Sequence, residues 1–504
     1  MPSSRGNPQG PSDRSRDFQV FLRALVCSLL LVGVSAYAGN TSHTRSSGSA
    51  HAPAPTAAPA PAPPPPPPKG VVAASKPAPV PLPVGEALPA SASAMLNLDG
   101  SSLDAGSSGP IGPTIVHNGW RTISVLQLGD SHTAADYFTG VLRDHLQNEY
   151  GDAGTGYIPP GRPHGGVRLA RLAISTSAHW TYGALRTTSD VSTYFLSGFT
   201  ASAALAGEAL TWTATGGRTD RFRTLEIEAL TGPDQGSFDV VLDDQLLGHW
   251  DLRRPTVRRV VLRTRASAQA IPFGKLVLTT TSDSPVTIGG LGLYDDGPGV
   301  VLSEAGLPSA TVNAFDKLDE PTFEAELERM RPDVVVVAFG TNEGFDDNLD
   351  LQDYGHRYSR VIGRIRAALP DVRIALIGPP DGERLPASCR RYASSATCGK
   401  PPTRNSKGKL VYGCQWARPP KLDATRDVIA TLAQSLSLAY WNWATINPGS
   451  CGAHDLATGT PKLMASDHVH FSAEGYKQSA EAFEAVLDPL VAEAEAGDHA
   501  VPNN

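Results

Sequence analysis

Short runs of consecutive apolar residues, each closed by small polar residues, constrain the fold of this chain most strongly. Four such runs lie at 122–128, 334–339, 372–377 and 438–443. A strand that is apolar on both sides is typical of a parallel sheet whose two faces are covered by helices. Two of the runs end in a polar tetrad, namely Gly129-Asp130-Ser131-His132 and Gly340-Thr341-Asn342-Glu343.

Segments with helical periodicity separate the apolar runs. Phe138, Leu142 and Leu146 recur at helical spacing after the first run, and Ser472 can cap a final helix. The other predicted helices lie at 323–330, 354–369 and 422–436, and the final one carries Tyr476, Phe483, Leu487 and Leu490. The alternation predicts a three-layer α/β/α unit, whose ligand site lies where the strands end.

The residues from about 170 to 296 follow a different pattern. Alternation with period two occurs at 224–229, 238–242 and 257–263, and further β-rich runs lie at 275–281 and 286–294. Several short strands separated by turn residues indicate a β-sandwich. We therefore expect a jelly-roll-like β-sandwich at 170–296, inserted into an α/β unit that spans 111–169 and 297–492.

The N-terminal segment predicts export. Basic residues precede an apolar run at 24–34, and Ala36-Tyr37-Ala38 follows it. This is the pattern of a secretory signal cleaved near Ala38, with an uncleaved membrane anchor that begins at Phe18 as the alternative. Either interpretation of residues 1–38 places the protein in the periplasm or cell envelope, and the anchor alternative adds a membrane tether at 18–38.

A linker is predicted at 39–110, and a disordered tail at 493–504. The region after the apolar segment is rich in Ala, Pro and Ser, and six consecutive prolines occupy 63–68. Such a run forms extended polyproline II and cannot build a core. The sequence has no second apolar stretch like the first, which excludes a polytopic membrane protein.

Charge and cysteine content narrow the class of protein further. The 43 Lys+Arg against 50 Asp+Glu give a net charge of −7, which argues against nucleic-acid binding through a large basic surface. Without Cys27 of the apolar segment, an even number of cysteines remains, namely Cys389, Cys398, Cys414 and Cys451. In an exported chain this favours two disulfides, in one of three pairings, within a loop-rich region.

Ser131, His470 and Asp467 are the candidates for nucleophilic catalysis. A serine needs a base to become a nucleophile, and a histidine with a carboxylate three residues away can supply the proton carrier and its partner. Ser131 could instead cap the next helix. His468 and His470 could bind a metal, and either could be a structural histidine. Asn342 could donate to an oxyanion or simply form a turn.

These motifs resemble those of the SGNH (GDSL-like) hydrolases. The matching blocks are Gly129-Asp130-Ser131, Gly306, Gly340-Thr341-Asn342 and Asp467 with His470. More narrowly, the chain is similar to bacterial peptidoglycan O-acetylesterases, which carry a β-sandwich resembling a carbohydrate-binding module between the first two blocks. The family often has Asn soon after the second-block glycine, whereas this chain has Leu307-Pro308.

The resemblance implies a mechanism. Ser131 attacks an ester carbonyl, His470 takes its proton, Asp467 orients His470, and an acetyl-Ser131 intermediate forms. The oxyanion lies among the backbone N–H groups of Ser131 and Gly306 and the Asn342 amide, and no metal or cofactor is needed. We expect Asp130 to be structural, since such carboxylates bond nearby backbone N–H groups. His132 and Glu343 receive no role.

The expected function is removal of O-acetyl groups from peptidoglycan or a related envelope polysaccharide. The alternatives are an O-acetyltransferase with the same triad, a glycan-binding protein without activity, and a lipase or thioesterase. In the insert, Trp212 and Trp250 could stack on sugars or lie in the core. A basic stretch at 384–420 could contact anionic glycan or be a solvated loop. Its cations are Arg390, Arg391, Lys400, Arg404, Lys407 and Lys409.

Overall fold

The computed structural model describes residues 96–97, 121–215, 220–266, 271–295, 297–399, 402–447 and 449–497. The predicted signal or anchor, and all of the predicted linker except 96–97, lie outside these residues. Among the helices that the structure describes, none combines the length and apolarity needed to cross a bilayer.

A five-stranded parallel sheet forms the centre of the α/β unit. Its strands, in spatial order, are Gly299–Gly306, Thr122–Gly129, Val334–Ala338, Arg373–Gly378 and Ala439–Asn442. The register pairs Gly129 with Gly306 on one side and with Ala338 on the other. The four predicted apolar runs are all strands of this sheet. The edge strand Gly299–Gly306 was not predicted, because its residues lay between the insert and a glycine motif.

Helices cover both faces of this sheet. The helices of the α/β unit are Ser131–Ala134, Phe138–Tyr150, Asn313–Asp316, Glu320–Met330, Thr341–Gly344, Leu351–Ala368, Leu422–Ser435, Gly452–Thr458 and Ala473–Gly497, with 3-10 turns at Ala387–Tyr392 and Trp443–Ile446. Val335 and Val337 lie in one hydrophobic core, and Val334 and Val336 lie in the other. Successive strand residues point to opposite faces, so the two cores are the two sides of the sheet. The three-layer α/β/α prediction is confirmed.

Two antiparallel sheets form the β-rich unit. One contains Leu96–Asn97, Gly156–Ile158, Thr181–Ala184, Phe199–Ala203, Thr224–Thr231, Arg258–Ala266 and Val286–Tyr294. The other contains Leu172–Thr176, Ala209–Ala214, Ser237–Leu242, Gln245–Asp251 and Lys275–Thr280. Ile227 and Ile288 of the first sheet share one core with Trp212 and Phe238 of the second. The two sheets therefore form a sandwich, as predicted for this region.

Smaller elements complete the fold. The strand Asp220–Phe222 pairs with Ile271–Phe273, and Thr403–Arg404 pairs with Leu410–Val411. A 3-10 turn lies at Leu185–Thr187.

Three segments lie across the predicted boundaries of the α/β unit, the linker and the tail. The predicted α/β segment 111–169 includes Gly156–Ile158, but this strand pairs with the sandwich strand Val286–Tyr294. Leu96–Asn97, inside the predicted linker, pairs with Arg258–Ala266, whose open edge offers backbone groups to any extended segment. The last helix continues to Gly497 instead of ending before 493, because Ala494 is buried in the core beneath it.

A buried ion-pair network joins the sandwich to the α/β unit. Arg329, on the helix Glu320–Met330, pairs with Glu226 and with Glu228 on a sandwich strand, the latter at 2.7 Å. The Tyr157 hydroxyl donates to Glu228 at 2.6 Å. Buried charges must be paired to be tolerated, so these contacts fix how the two units pack.

Two disulfides stabilise the loop-rich region before the helix Leu422–Ser435. Cys389 pairs with Cys414, and Cys398 pairs with Cys451. The expectation of two bridges is confirmed, and the structure selects one of the three pairings. The cations of this region that the structure describes are Arg390, Arg391, Arg404, Lys407 and Lys409, and all are exposed, which fits the solvated-loop alternative. Lys400 lies outside the described residues.

Candidate active site

Ser131 lies at the carboxyl end of a central strand of the parallel sheet. The strand Thr122–Gly129 ends one residue before Asp130, which caps the short helix Ser131–Ala134 by accepting from the His132 N–H at 2.9 Å. The helix cap is therefore Asp130, and the alternative that Ser131 serves as the cap is wrong. The structural role expected for Asp130 is confirmed by this bond. The Ser131 side chain is left available for other contacts.

Ser131, His470 and Asp467 form a hydrogen-bonded row. Ser131 Oγ lies 2.9 Å from His470 Nε2, and His470 Nδ1 lies 2.7 Å from Asp467 Oδ2. The other Asp467 oxygen accepts from the backbone N–H groups of Val469 and His470, each at 3.0 Å. One carboxylate thus fixes both the imidazole and the loop that carries it, and the imidazole presents its far nitrogen to the serine.

The electrostatics of the row favour a proton carrier. The hydrogen bond to Asp467 raises the pKa of His470 above its ordinary value. Partial burial alone would raise the pKa of Asp467, but the hydrogen bonds from the His470 side chain and backbone lower it to about 2. Asp467 therefore stays charged and stabilises an imidazolium at His470.

Asp130 and His132 are buried beside the row. Burial raises the pKa of Asp130 to about 6 and lowers the pKa of His132 well below its ordinary value. His132 Nδ1 lies 2.9 Å from the Tyr476 hydroxyl, and its ring centroid lies 5.3 Å from that of His470. His132 is thus a neutral packing partner of His470. Its adjacency to Ser131 was the only sequence signal for this role.

Gly306 allows the helix Ser131–Ala134, which carries the candidate nucleophile and is called the nucleophile helix below, to approach the sheet closely. A Cβ atom at this position would lie 2.3 Å from the Ala134 backbone nitrogen, which no side chain can tolerate. The Leu307 N–H donates to the Gly129 carbonyl at 2.9 Å, which joins the ends of the two strands. The close packing against Ala134 therefore explains why residue 306 is a glycine. The oxyanion role of the Gly306 N–H stays a prediction.

Asn342 and Glu343 hold the loop that follows Gly306. Asn342 Nδ2 donates to the Ala310 carbonyl at 2.8 Å, and Glu343 Oε1 accepts from the Val312 N–H at 2.8 Å. An amide nitrogen carries two hydrogens, so Asn342 keeps one for an oxyanion. Burial raises the pKa of Glu343 to about 8, so its carboxyl is mostly neutral near pH 7. The sequence predicts no role for Glu343. Its role in holding the loop is seen only from its contact with the Val312 N–H.

The remaining candidates have contacts of their own. His468 does not join His470 in a metal site, because His470 contacts Asp467 and Ser131 while His468 contacts His454 at 3.1 Å. Trp212 is fully buried in the sandwich core and cannot stack on a sugar. Trp250 is half-buried and stacks on Phe238 with ring centroids 5.5 Å apart.

Comparison with known proteins finds a family that part of the chain matches and a solved structure that shares the fold. Residues 292–478 match the GDSL-like Lipase/Acylhydrolase family. A solved peptidoglycan O-acetylesterase aligns with 75 % of this chain and 93 % of its own, at 24 % identity and a TM-score of 0.58. No curated protein matches the sequence.

Two further solved structures align too loosely to carry an argument. A family two carbohydrate esterase from Clostridium thermocellum covers 61 % of this chain and 99 % of its own, at 12 % identity and a TM-score of 0.25. An acetyl xylan esterase covers 37 % of this chain and 81 % of its own, at 16 % identity and a TM-score of 0.26.

The family match includes Gly306, Asn342, Asp467 and His470 but begins well after Ser131. The structure supplies the missing part, because it brings Ser131 to His470 across 339 residues of sequence. The match over residues 292–478, the three-layer fold and the order of the motif residues together make this chain similar to the SGNH, or GDSL-like, hydrolases.

Proposed function

We propose that this protein is a serine esterase that removes O-acetyl groups from peptidoglycan or a related cell-envelope polysaccharide. The observation that carries the proposal is the row of hydrogen bonds from Ser131 through His470 to Asp467 at the carboxyl end of a parallel sheet. The fold shared with a peptidoglycan O-acetylesterase supports the choice of substrate. The N-terminal export pattern supports it also, since the polymer lies outside the cytoplasm.

The first half of the reaction transfers the acetyl group to the enzyme. Ser131 Oγ attacks the acetyl carbonyl carbon while His470 Nε2 accepts the hydroxyl proton. The carbonyl electron pair moves to oxygen, and the oxyanion is stabilised by the Ser131 and Gly306 backbone N–H groups and the Asn342 amide. The C–O bond to the sugar then breaks, and His470 returns the proton to the departing sugar hydroxyl.

The second half returns the enzyme to its starting state. A water molecule attacks the acetyl carbon of acetyl-Ser131 while His470 accepts its proton. The bond to Ser131 Oγ breaks, His470 gives the proton back to that oxygen, and acetate leaves. Throughout, Asp467 holds the imidazole orientation and balances its positive charge.

The test is acetate release by the purified full chain from O-acetylated peptidoglycan, compared with acetylated xylan and with a simple acetyl ester. We expect turnover on peptidoglycan, and a loss of at least about 10⁴-fold in the Ser131→Ala variant. Near-parent turnover by a folded Ser131→Ala variant would contradict the triad. Faster turnover on acetylated xylan would contradict the proposed substrate but not the triad.

The same experiment separates hydrolysis from transfer. If excess unacetylated glycan is added and acetyl groups appear on it in place of free acetate, the acceptor is a sugar hydroxyl and the protein is a transferase. Binding of glycan without either product would favour the non-catalytic alternative.

A further inference from the structure

A second cluster of polar side chains includes one residue of the catalytic loop, the segment 465–470 that carries Asp467 and His470. Glu383 follows the strand Arg373–Gly378, His454 lies on the helix Gly452–Thr458, and His468 lies between Asp467 and His470. One carboxylate oxygen and one nitrogen from each histidine all lie within 4.8 Å of one another. Three separate segments therefore converge on one point, and none of these three side chains takes part in the proposed reaction.

His468 is oriented as metal-binding histidines usually are. Its Nδ1 lies 3.2 Å from the Ser466 carbonyl, and a carbonyl can only accept, so Nδ1 carries the hydrogen. Its Nε2 lone pair is then directed at the cluster, 3.1 Å from His454 Nδ1. The Trp416 ring stacks on the imidazole with centroids 3.7 Å apart and holds it in place. A backbone carbonyl behind one nitrogen is the common arrangement for a ligating imidazole.

Glu383 is buried without a donor for one of its oxygens. The residue is 1 % exposed, and Oε2 has no hydrogen-bond partner among the described residues. Cys398 and Cys451 also lie beside it, but the disulfide between them leaves no thiol to donate. A buried carboxylate oxygen that no donor satisfies is costly. A cation between Glu383 and the two imidazoles would satisfy it.

We propose that Glu383, His454 and His468 bind a divalent transition-metal ion of the zinc class. Two imidazole nitrogens and one carboxylate oxygen form a ligand set that Zn²⁺ accepts, with a fourth position for water. Zinc holds such ligands at about 2.0–2.2 Å in a tetrahedral arrangement, so any two of them lie about 3.3–3.6 Å apart. Side-chain rotations that bring the ligand atoms from separations of at most 4.8 Å into this range complete the site.

The ion would stabilise the catalytic loop that carries Asp467 and His470. The Glu383 N–H already donates to the His468 carbonyl at 2.9 Å, so the carboxylate and the loop are joined through the backbone. A metal bound by Glu383 and His468 would add a second connection between them. His468 lies one residue after Asp467 and two before His470. The metal is thus a structural support for the loop, and it binds whether or not the proposed esterase reaction is correct.

The test is Zn²⁺ binding by the full chain after removal of metals with a chelator, measured by titration calorimetry. We expect about one equivalent to bind to the parent, and at least about tenfold weaker binding to His454→Gln and to Glu383→Gln. The matched control is His179→Gln, which breaks a histidine–glutamate contact of 2.6 Å in the sandwich and should leave binding unchanged. Ser131→Ala should also bind like the parent, which separates this site from the triad.

Two results would overturn the proposal. One is a stripped parent that binds no Zn²⁺, and the other is a His454→Gln variant that binds it as tightly as the parent. Thermal unfolding with and without Zn²⁺ provides a second measurement if one variant is unstable. The ion should raise the midpoint of the parent and of His179→Gln, and a midpoint of Glu383→Gln that rises equally would contradict the site.

Discussion

At the residue scale, the account depends on polar side chains whose partners lie far away in sequence. The position of Ser131 after a strand and the spacing of Asp467 and His470 could be predicted from sequence, because both follow from local chemistry. The contacts of Asn342 and Glu343 could not, because their partners are the backbone groups of Ala310 and Val312. No pattern of residue types marks a side chain that bonds a distant carbonyl or N–H.

Replacing Asn342 tests the oxyanion assignment. We expect Asn342→Ala to lower kcat by about 10²–10³-fold with a smaller change in KM, because the donor acts mainly in the transition state. The thermal midpoint of the variant reports the cost of the lost bond to Ala310. A kcat within threefold of the parent corresponds to a change of at most about 0.7 kcal/mol in the activation free energy, and it would show that Asn342 does not stabilise the oxyanion.

Glu343 should make stability depend on pH. The unfolded chain releases this proton near its ordinary pKa of 4.5, and the folded chain releases it near 8. Between these values the folded state binds more protons, so the contribution of Glu343 to stability falls as pH rises from about 4.5 to about 8. We expect Glu343→Gln, which cannot ionise, to gain free energy of unfolding relative to the parent over that range.

Urea unfolding of both proteins at several pH values measures this difference. Other buried acids, such as Glu228 and Glu304, contribute equally to both proteins and cancel in the comparison. A difference that is constant from pH 5 to pH 9 would show that Glu343 is already ionised in the folded protein.

At the element scale, three strand ends in one register create the site. Gly306, Gly129 and Ala338 lie side by side, and the nucleophile helix packs directly on Gly306. The strands Thr122–Gly129 and Val334–Ala338 could be predicted, because a polar tetrad closes each apolar run. The strand Gly299–Gly306 was missed, because it lies between the insert and a glycine motif and no such tetrad closes it.

A methyl group at Gly306 tests this packing. We expect Gly306→Ala to reduce activity and to cost about 1–3 kcal/mol of stability, because the added carbon collides with the Ala134 backbone. The matched control is Gly363→Ala on the helix Leu351–Ala368, where a Cβ meets no atom within 4 Å. There we expect a gain of about 0.5–1 kcal/mol.

Chemical denaturation and ester turnover of the two variants check this prediction together. Equal stability changes in the two variants would contradict the close approach of the nucleophile helix to the strand end.

At the scale of the whole molecule, the α/β unit and the sandwich are joined by buried charge. Sequence predicted both units, because each has its own periodicity. It could not predict their contact, which depends on Arg329 lying between Glu226 and Glu228 from a distant strand. Nor could it predict that Gly156–Ile158 joins the sandwich, since three residues are too few for a pattern.

Removing Arg329 tests the contact. We expect Arg329→Met to lower the free energy of unfolding by about 3–5 kcal/mol, because Glu228 and Glu326 lose the cation that pairs with them. Glu226 keeps its ion pair with Arg263. The control is Lys477→Met, which removes an exposed pair with Glu481 and should cost at most about 1 kcal/mol. Urea unfolding measures both values, and a similar small cost for both variants would show that the network contributes little.

The central claim is that His470 and Asp467 activate Ser131, and covalent labelling by a fluorophosphonate tests it most directly. The reagent modifies only serines that are strong nucleophiles. The account predicts one label per chain, found on Ser131 by peptide mass spectrometry, with labelling abolished in His470→Ala and slowed in Asp467→Asn. A label on another serine, or equal labelling of Ser131 in folded His470→Ala, would contradict the account.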